Sequence, residues 1–237
     1  MSNLLAFPMY AVDRADTRAL WLAVKGLLAA RGVPVEDVPD GPESDLLTHW
    51  QQPELILSQT CGYPLVTQLP DVQVVGCFHY AVPGCEGIHY RSFLVARAVC
   101  NSADSQSGYN ALRKKVAPLV AQEPFFAQTS FSGSHRQSLK DVKRGAGDIA
   151  AIDCVTWALL QRHEPESLTG LAVIDHTPLT PGLPLITSPR TSPETLNALR
   201  DALHALVSSP EHRAVCDAVL IRGFSVVTRQ AYASLLA

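Results

Sequence analysis

No stretch of this sequence reaches the ~18 consecutive apolar residues of a membrane-spanning helix, and its start, MSNLLAFPMY, has neither a basic segment nor a long apolar core. The expectation is a protein without membrane insertion, cytoplasmic as the chain is written and periplasmic if the N-terminus is truncated or misassigned. Basic blocks are also scarce. The longest is Arg113-Lys114-Lys115 and the formal net charge is −3, so nothing here makes an electrostatic footprint for nucleic acid. The cysteines Cys61, Cys77, Cys85, Cys100, Cys154 and Cys216 form no C-x-x-C pair, and no His stands at zinc-finger spacing. Neither a redox motif nor a structural zinc site is thereby indicated, and no metal or cofactor is expected. Buried thiols are the expectation; a Cys77–Cys85 bridge is open only in an oxidising compartment. Internal repeats and low-complexity tracts are absent.

What is present is a chain of 237 residues, 47% of them hydrophobic, enough for one large α/β domain or two lobes of ~100–120 residues. Leu4 to Met9, Leu55 to Ser58, Val72 to Cys77 and Ile88 to Ala96 read as strands. Between the first two, Leu20, Val24, Leu27 and Leu28 recur on one helical face, with Asp13 or Asp16 as cap and Gly32 at the far end. Alternating strands and helices predict mostly parallel sheets flanked by helices. Ser192-Pro193-Glu194 and Ser209-Pro210-Glu211 each combine an N-cap, a proline at the first helical position and an acid in the first turn, predicting two C-terminal helices.

The chemistry concentrates in the middle of the chain. Residues 101–112 (NSADSQSGYNAL) run from small hydroxyl and amide side chains into an amphipathic helix with Tyr109, Leu112, Val116, Leu119 and Val120 on one side. Ser105, Gln106, Ser107 and Gly108 fall where unpaired helix-start N–H groups make a site for a compact anion. The same residues also serve as a plain N-cap, and both readings stand. A second turn, Ser132-Gly133-Ser134-His135, precedes a helix to Arg144 that ends at Gly145. Residues 149–152 then form a short strand with Asp153 at its tip, where an acid both caps the next helix and meets ligands in open α/β sheets. Cys61 beside Gly62 has two readings, packing and nucleophile; the second needs His79, His89 or His135 nearby. Trp21, Trp50 and Trp157 are expected in the core.

Five segments carry a family resemblance: Trp50 to Gly62 (WQQPELILSQTCG), Cys85 to Ser92 (CEGIHYRS), Asp104 to Tyr109 (DSQSGY), Ser132 to His135 (SGSH) and Gly147 to Trp157 (GDIAAIDCVTW). In this order they resemble the phosphate/phosphonate-type substrate-binding proteins of ABC transporters. The resemblance implies a two-lobed type 2 periplasmic-binding-protein-like fold with a ligand cleft between the lobes. Residues 1–98 and 189–237 would form lobe one and 99–188 lobe two, with hinges near Ala96 and Leu185. It further implies that Ser105, Gln106, Ser107, Gly108 and His135 hold a phosphonate and that Asp153 contacts the other end of an aminophosphonate. Tyr90, Tyr10 and the turn Gln59-Thr60-Cys61-Gly62 would contribute from lobe one. Where the family often has Ser-Thr-Ser, this chain has Gln106 in the middle, which leaves carboxylates, sulfonates and small heterocycles open as ligands.

Two functions follow. One is a solute-binding protein for a small anion or zwitterion, acting with an ABC permease or as a cytoplasmic relative of such proteins. The other is a cytoplasmic enzyme on the same scaffold, of dehydratase or cofactor-biosynthesis type, using Asp153, His135 or Cys61.

Overall fold

The computed structural model describes residues 3–36, 45–99, 105–111, 114 and 128–236. The helix expected through Leu112, Val116, Leu119 and Val120 lies outside them, as do Cys100 and residues 101–104. The chain divides into two compact units: unit 1 is Met1–Ala81, Glu86–Ile88 and Pro181–Ala237, and unit 2 is Val82–Cys85 and His89–Thr180.

In unit 1, β1 (Leu4–Ala6), β2 (Leu55–Gln59), β3 (Gln73–Tyr80), β9 (Pro184–Thr187) and β10 (Ile221–Ser225) form one sheet in the order β1-β2-β9-β3-β10. Successive side chains of a strand point to opposite faces. Val75 and Leu185 accordingly join one core with Val24, Leu28, Leu199 and Leu203, and Val74 and Ile186 join another with Trp50, Leu65 and Tyr232. The first core is covered by α1 (Arg14–Ala29) and α7 (Pro193–Ser208), whose caps Asp13 and Ser192 accept from the N–H groups of Asp16 and Thr195. The second is covered by α2 (Leu46–Trp50), α3 (Gly62–Thr67) and the 3-10 segment Arg229–Leu236. At Gly76 a Cβ would stand 2.3 Å from the Phe224 ring and 2.5 Å from the Ser225 carbonyl, so only glycine lets β10 approach here.

In unit 2, β6 (Asp148–Asp153), β5 (Ser92–Val99) and β7 (Val173–His176) form a three-stranded sheet with β5 in the centre, accompanied by α4 (His135–Arg144), α5 (Cys154–His163) and the short α6 (Pro165–Leu168). Leu139, Val142, Val155, Leu159 and Leu160 are buried on its helices. The short strands β4 (His89–Tyr90) and β8 (Thr180–Pro181) pair in a ribbon of their own.

The α/β class holds, but the strands are not mostly parallel. The β1–β2 pairing is parallel, whereas β2–β9, β3–β9, β3–β10, β5–β6 and β5–β7 are antiparallel. The cause is insertion. Strands β1, β2 and β3 do run the same way, as the strand–helix alternation predicts, and β9 returns against them between β2 and β3. Of the two C-terminal helix starts, Ser192 opens the long α7, whereas Ser209 opens one 3-10 turn, Pro210–His212, followed by α8 (Arg213–Ala218). Trp50 is fully buried, Trp21 is half-buried with its indole N–H on the Leu5 carbonyl, and Trp157 meets Phe93 edge to face. No helix among the described residues is long and apolar enough to cross a membrane.

Candidate ligand-binding site

Three elements of unit 2 bring polar side chains to one place. The first is the segment from Ser105 into a π-helical turn, Gln106–Asn110, closed by the backbone and side-chain N–H groups of Asn110 on the Ser105 carbonyl (3.0 and 3.1 Å). Ser105, Gln106 and Ser107 are all buried there, and Gly108 lies within the turn. The second is the start of α4. Ser134 is extended at the cap and its hydroxyl accepts from the Gln137 N–H, which makes His135 the first helical residue. The third is the tip of β6, where Asp153 ends a strand and caps a helix together. Its Oδ1 accepts from the N–H groups of Val155 (3.0 Å) and Thr156 (2.8 Å).

These meet at one ring nitrogen. His135 Nε2 lies 2.9 Å from Ser107 Oγ and 3.2 Å from Asp153 Oδ2, with side-chain exposures of 13% for His135 and 3% for Asp153. Burial holds the imidazole below its ordinary value of 6.5, opposed by the Asp153 carboxylate and by the Ala151 carbonyl. Ser107 Oγ and the Asp153 carboxylate thus face the same ring nitrogen, and the tautomer of the ring decides whether the hydroxyl donates to it or accepts from it. The buried Gln106 Oε1 has no hydrogen-bond partner among the described residues. The set therefore offers a hydroxyl and a carboxylate on one ring nitrogen, with an amide acceptor on the residue before Ser107, and a buried acceptor unmatched among the described residues calls for an explanation.

Two residues the sequence reading did not single out hold this set in place. Ser92 stands opposite Asp153 in the β5–β6 register, and its buried hydroxyl donates to the Ser107 carbonyl at 2.5 Å. Thr177 in turn fixes Ser92: its Oγ1 accepts from the Ser92 N–H and its own N–H donates to the Ser92 carbonyl, both at 2.9 Å. Ser92 and Thr177 are 85 positions apart, a separation no local pattern marks. Tyr90, two residues ahead of Ser92 on β4, is buried.

The unit 1 residues form a separate set. Gln59, at the end of β2, donates from Nε2 to the Tyr80 hydroxyl at 3.1 Å, and Tyr10 meets the Tyr80 ring edge to face at 5.2 Å. Tyr80 had no place in the sequence reading; its position at the end of β3 was the available signal. Tyr10, Gln59 and Tyr80 line a recess with Phe7, Leu20 and Phe78. Thr60 is buried with its N–H on the Pro184 carbonyl, and Cys61 is the half-buried residue that precedes α3. Of the histidines offered as bases for Cys61, His79 faces Ser225 Oγ at 2.8 Å and His135 is held by Ser107 and Asp153. Among the described residues no three His, Cys, Asp or Glu side chains gather as a metal site.

Solved structures define the class. PhnD1 from Prochlorococcus marinus in complex with methylphosphonate matches with a TM-score of 0.76 at 17% identity, covering 97% of this chain and 93% of that one. A binding-protein component of an ABC phosphonate transporter from Pseudomonas aeruginosa matches with a TM-score of 0.76 at 17% identity, over 98% and 84%. XAC2383 from Xanthomonas citri bound to ATP reaches 0.72 at 14%, over 99% and 96%. The fold is that of the type 2 periplasmic binding proteins. In sequence, the family model for the periplasmic substrate-binding protein of phosphonate ABC transporters matches residues 96–232, more than half of the chain, and the chain belongs to that family. No curated protein matches it in sequence.

Proposed function

We propose that this chain is the solute-binding component of an ABC transport system and that its ligand is a small phosphonate carrying a hydrogen-bond donor, such as an aminophosphonate or a monoprotonated alkylphosphonate. The observation that carries the reading is the meeting of Ser107, His135 and Asp153 at His135 Nε2, beside the orphaned Gln106 Oε1. An oxyanion takes the Ser107 hydroxyl and favours the charged imidazolium, which then forms a neutral pair with Asp153. The ligand's ammonium or P–OH supplies what Gln106 Oε1 and the carboxylate lack. Neutral donors and one titratable ring bind an anion without a permanent cation. Family membership supports action with a permease and a periplasmic location.

The same geometry argues against catalysis by this triad. A base that takes a serine proton needs its acceptor nitrogen facing the hydroxyl and the carboxylate on the other nitrogen. Here both partners face Nε2, so the carboxylate does not stand on the far nitrogen as that arrangement requires.

Titration calorimetry with methylphosphonate, 2-aminoethylphosphonate, phosphate and ATP tests the reading. Saturable binding of a phosphonate, weakened in Ser107→Ala, supports it. Binding of ATP with no response to either phosphonate overturns it.

A further inference from the structure

Outside the ligand set, two thiols distant in sequence stand together. Cys85 closes the turn Val82–Cys85, its N–H donating to the Val82 carbonyl at 3.1 Å. Pro83 at the second position and Gly84 at the third, with φ of 94°, are the residues a type II turn calls for. Gly84 is needed for a second reason: a Cβ there would lie 2.9 Å from Cys154 Cβ and 3.2 Å from its sulfur. The turn therefore packs directly on Cys154, the first residue of α5, whose N–H donates to the Arg91 carbonyl at 3.1 Å. Cys85 Sγ and Cys154 Sγ are 3.4 Å apart. Cys154 is fully buried and Cys85 is half-buried, so Cys85 is the more accessible residue of the pair. All of these residues belong to unit 2.

We propose that Cys85 and Cys154 are a disulfide-forming pair, closed by exchange with a disulfide-bearing oxidant such as oxidised glutathione or a thiol oxidoreductase. The Cys85 thiolate attacks one oxidant sulfur, forming a mixed disulfide and releasing the first thiol. Cys154 then attacks Cys85 Sγ, and the oxidant's second sulfur leaves as a thiol; the two protein protons end on the two released thiols. The sulfurs must close from 3.4 Å to the ~2.05 Å of a bond, a movement within reach of side-chain rotation. The bridge between Cys77 and Cys85 that the sequence left open is not the one the fold prepares. Cys77 is buried with its thiol on the Phe78 carbonyl, and burial pushes that thiol up to about 12. Cys216 is likewise buried, with its thiol on the Leu206 carbonyl.

The bond would span 69 positions of sequence and enclose Ser105, Gln106, Ser107, His135 and Asp153, every side chain of the unit 2 ligand set. It would restrict the unfolded form of that segment and tie down the residue that follows Asp153.

The test is incubation of the full chain, native and ligand-free, with oxidised glutathione, then alkylation in denaturant and peptide mapping. A cross-linked Cys85–Cys154 peptide, a mass lower by two hydrogens, and a melting temperature that rises and returns on reduction are expected. Cys85→Ser, a change at a half-buried turn position, should remove all three. Full alkylation of both cysteines after incubation, or a cross-link between Cys85 and Cys77, would overturn the proposal. Neither result depends on which ligand the protein binds.

Discussion

In unit 2, Ser107, His135 and Asp153 meet around one nitrogen while Gln106 keeps a buried acceptor unmatched among the described residues; in unit 1, Gln59 donates to the Tyr80 hydroxyl beside Tyr10 in a recess walled by Phe7, Leu20 and Phe78. Both sets sit at strand ends, and both contain groups able to touch a ligand. The difference is in what is left over. The unit 1 pair is joined by a hydrogen bond of its own, so it contributes shape and one phenol. In unit 2 the Gln106 Oε1 acceptor is unmatched among the described residues, at a place where burial makes it count.

The change with the largest expected effect is Asp153→Ala. It orphans the Val155 and Thr156 N–H groups and leaves His135 without its carboxylate, so equilibrium unfolding in urea should show a loss of about 2–4 kcal/mol and phosphonate binding should vanish. Asp153→Asn keeps an oxygen for the cap and should cost no more than ~1–2 kcal/mol while still abolishing binding, which separates cap from ligand contact.

In unit 1 the corresponding break is purely steric. Gly76→Ala drives a Cβ into the Phe224 ring and the Ser225 carbonyl and should destabilise by about 1–3 kcal/mol in the same unfolding assay.

Ser107→Ala removes one hydroxyl and should lower phosphonate affinity about tenfold to a hundredfold by calorimetry, as expected for a hydrogen bond to a charged group. Stability should fall by only ~1 kcal/mol. Tyr80→Phe opens the closed unit 1 pair and should cost about 0.5–1.5 kcal/mol, with the smaller effect on affinity. If Tyr80→Phe weakened binding more than Ser107→Ala, the contrast between the two sets would be reversed.

The smallest effect is on pH dependence. His135 titrates below its ordinary 6.5 in the folded chain, so below 6.5 the unfolded chain binds more protons than the folded one. Stability is then complete above 6.5 and falls as pH drops toward the lowered value. His49 and His79 are shifted the same way by burial, so His135→Asn should flatten this slope without abolishing it. Bound anion reverses the sign at His135. Affinity should rise as pH falls, by more in the wild type than in His135→Asn, measured by calorimetry across that window.

Much of the local structure was readable because its causes are local. Ser134 and Gly145 bracket α4 through a cap hydroxyl and a left-handed glycine at φ 75°, and Leu20, Val24 and Leu28 are buried on one face of α1 at helical spacing. The ordered hydroxyl turns and the acid at residue 153 pointed to the family that residues 96–232 match. Strand direction was not readable, since nothing in residues 184–187 says that they enter between β2 and β3. Ser92, 15 positions from Ser107 and 85 from Thr177, gave no local sign of holding the turn. Cys85 pointed to Cys77, eight residues back, and found Cys154, 69 residues on.

The sequence by itself determined α1, α4, α5 and α7 with their caps and the chemistry of the candidate side chains, because propensity, capping and side-chain chemistry act within a few residues. Tertiary structure alone decided that Ser107 and Asp153 share one nitrogen of His135, that Gln106 Oε1 has no mate among the described residues, and which sulfur faces Cys85. Those outcomes depend on register and on strands returning from far along the chain, and a hydrogen bond or a thiol contact is settled by differences of less than an ångström that no sequence spacing encodes.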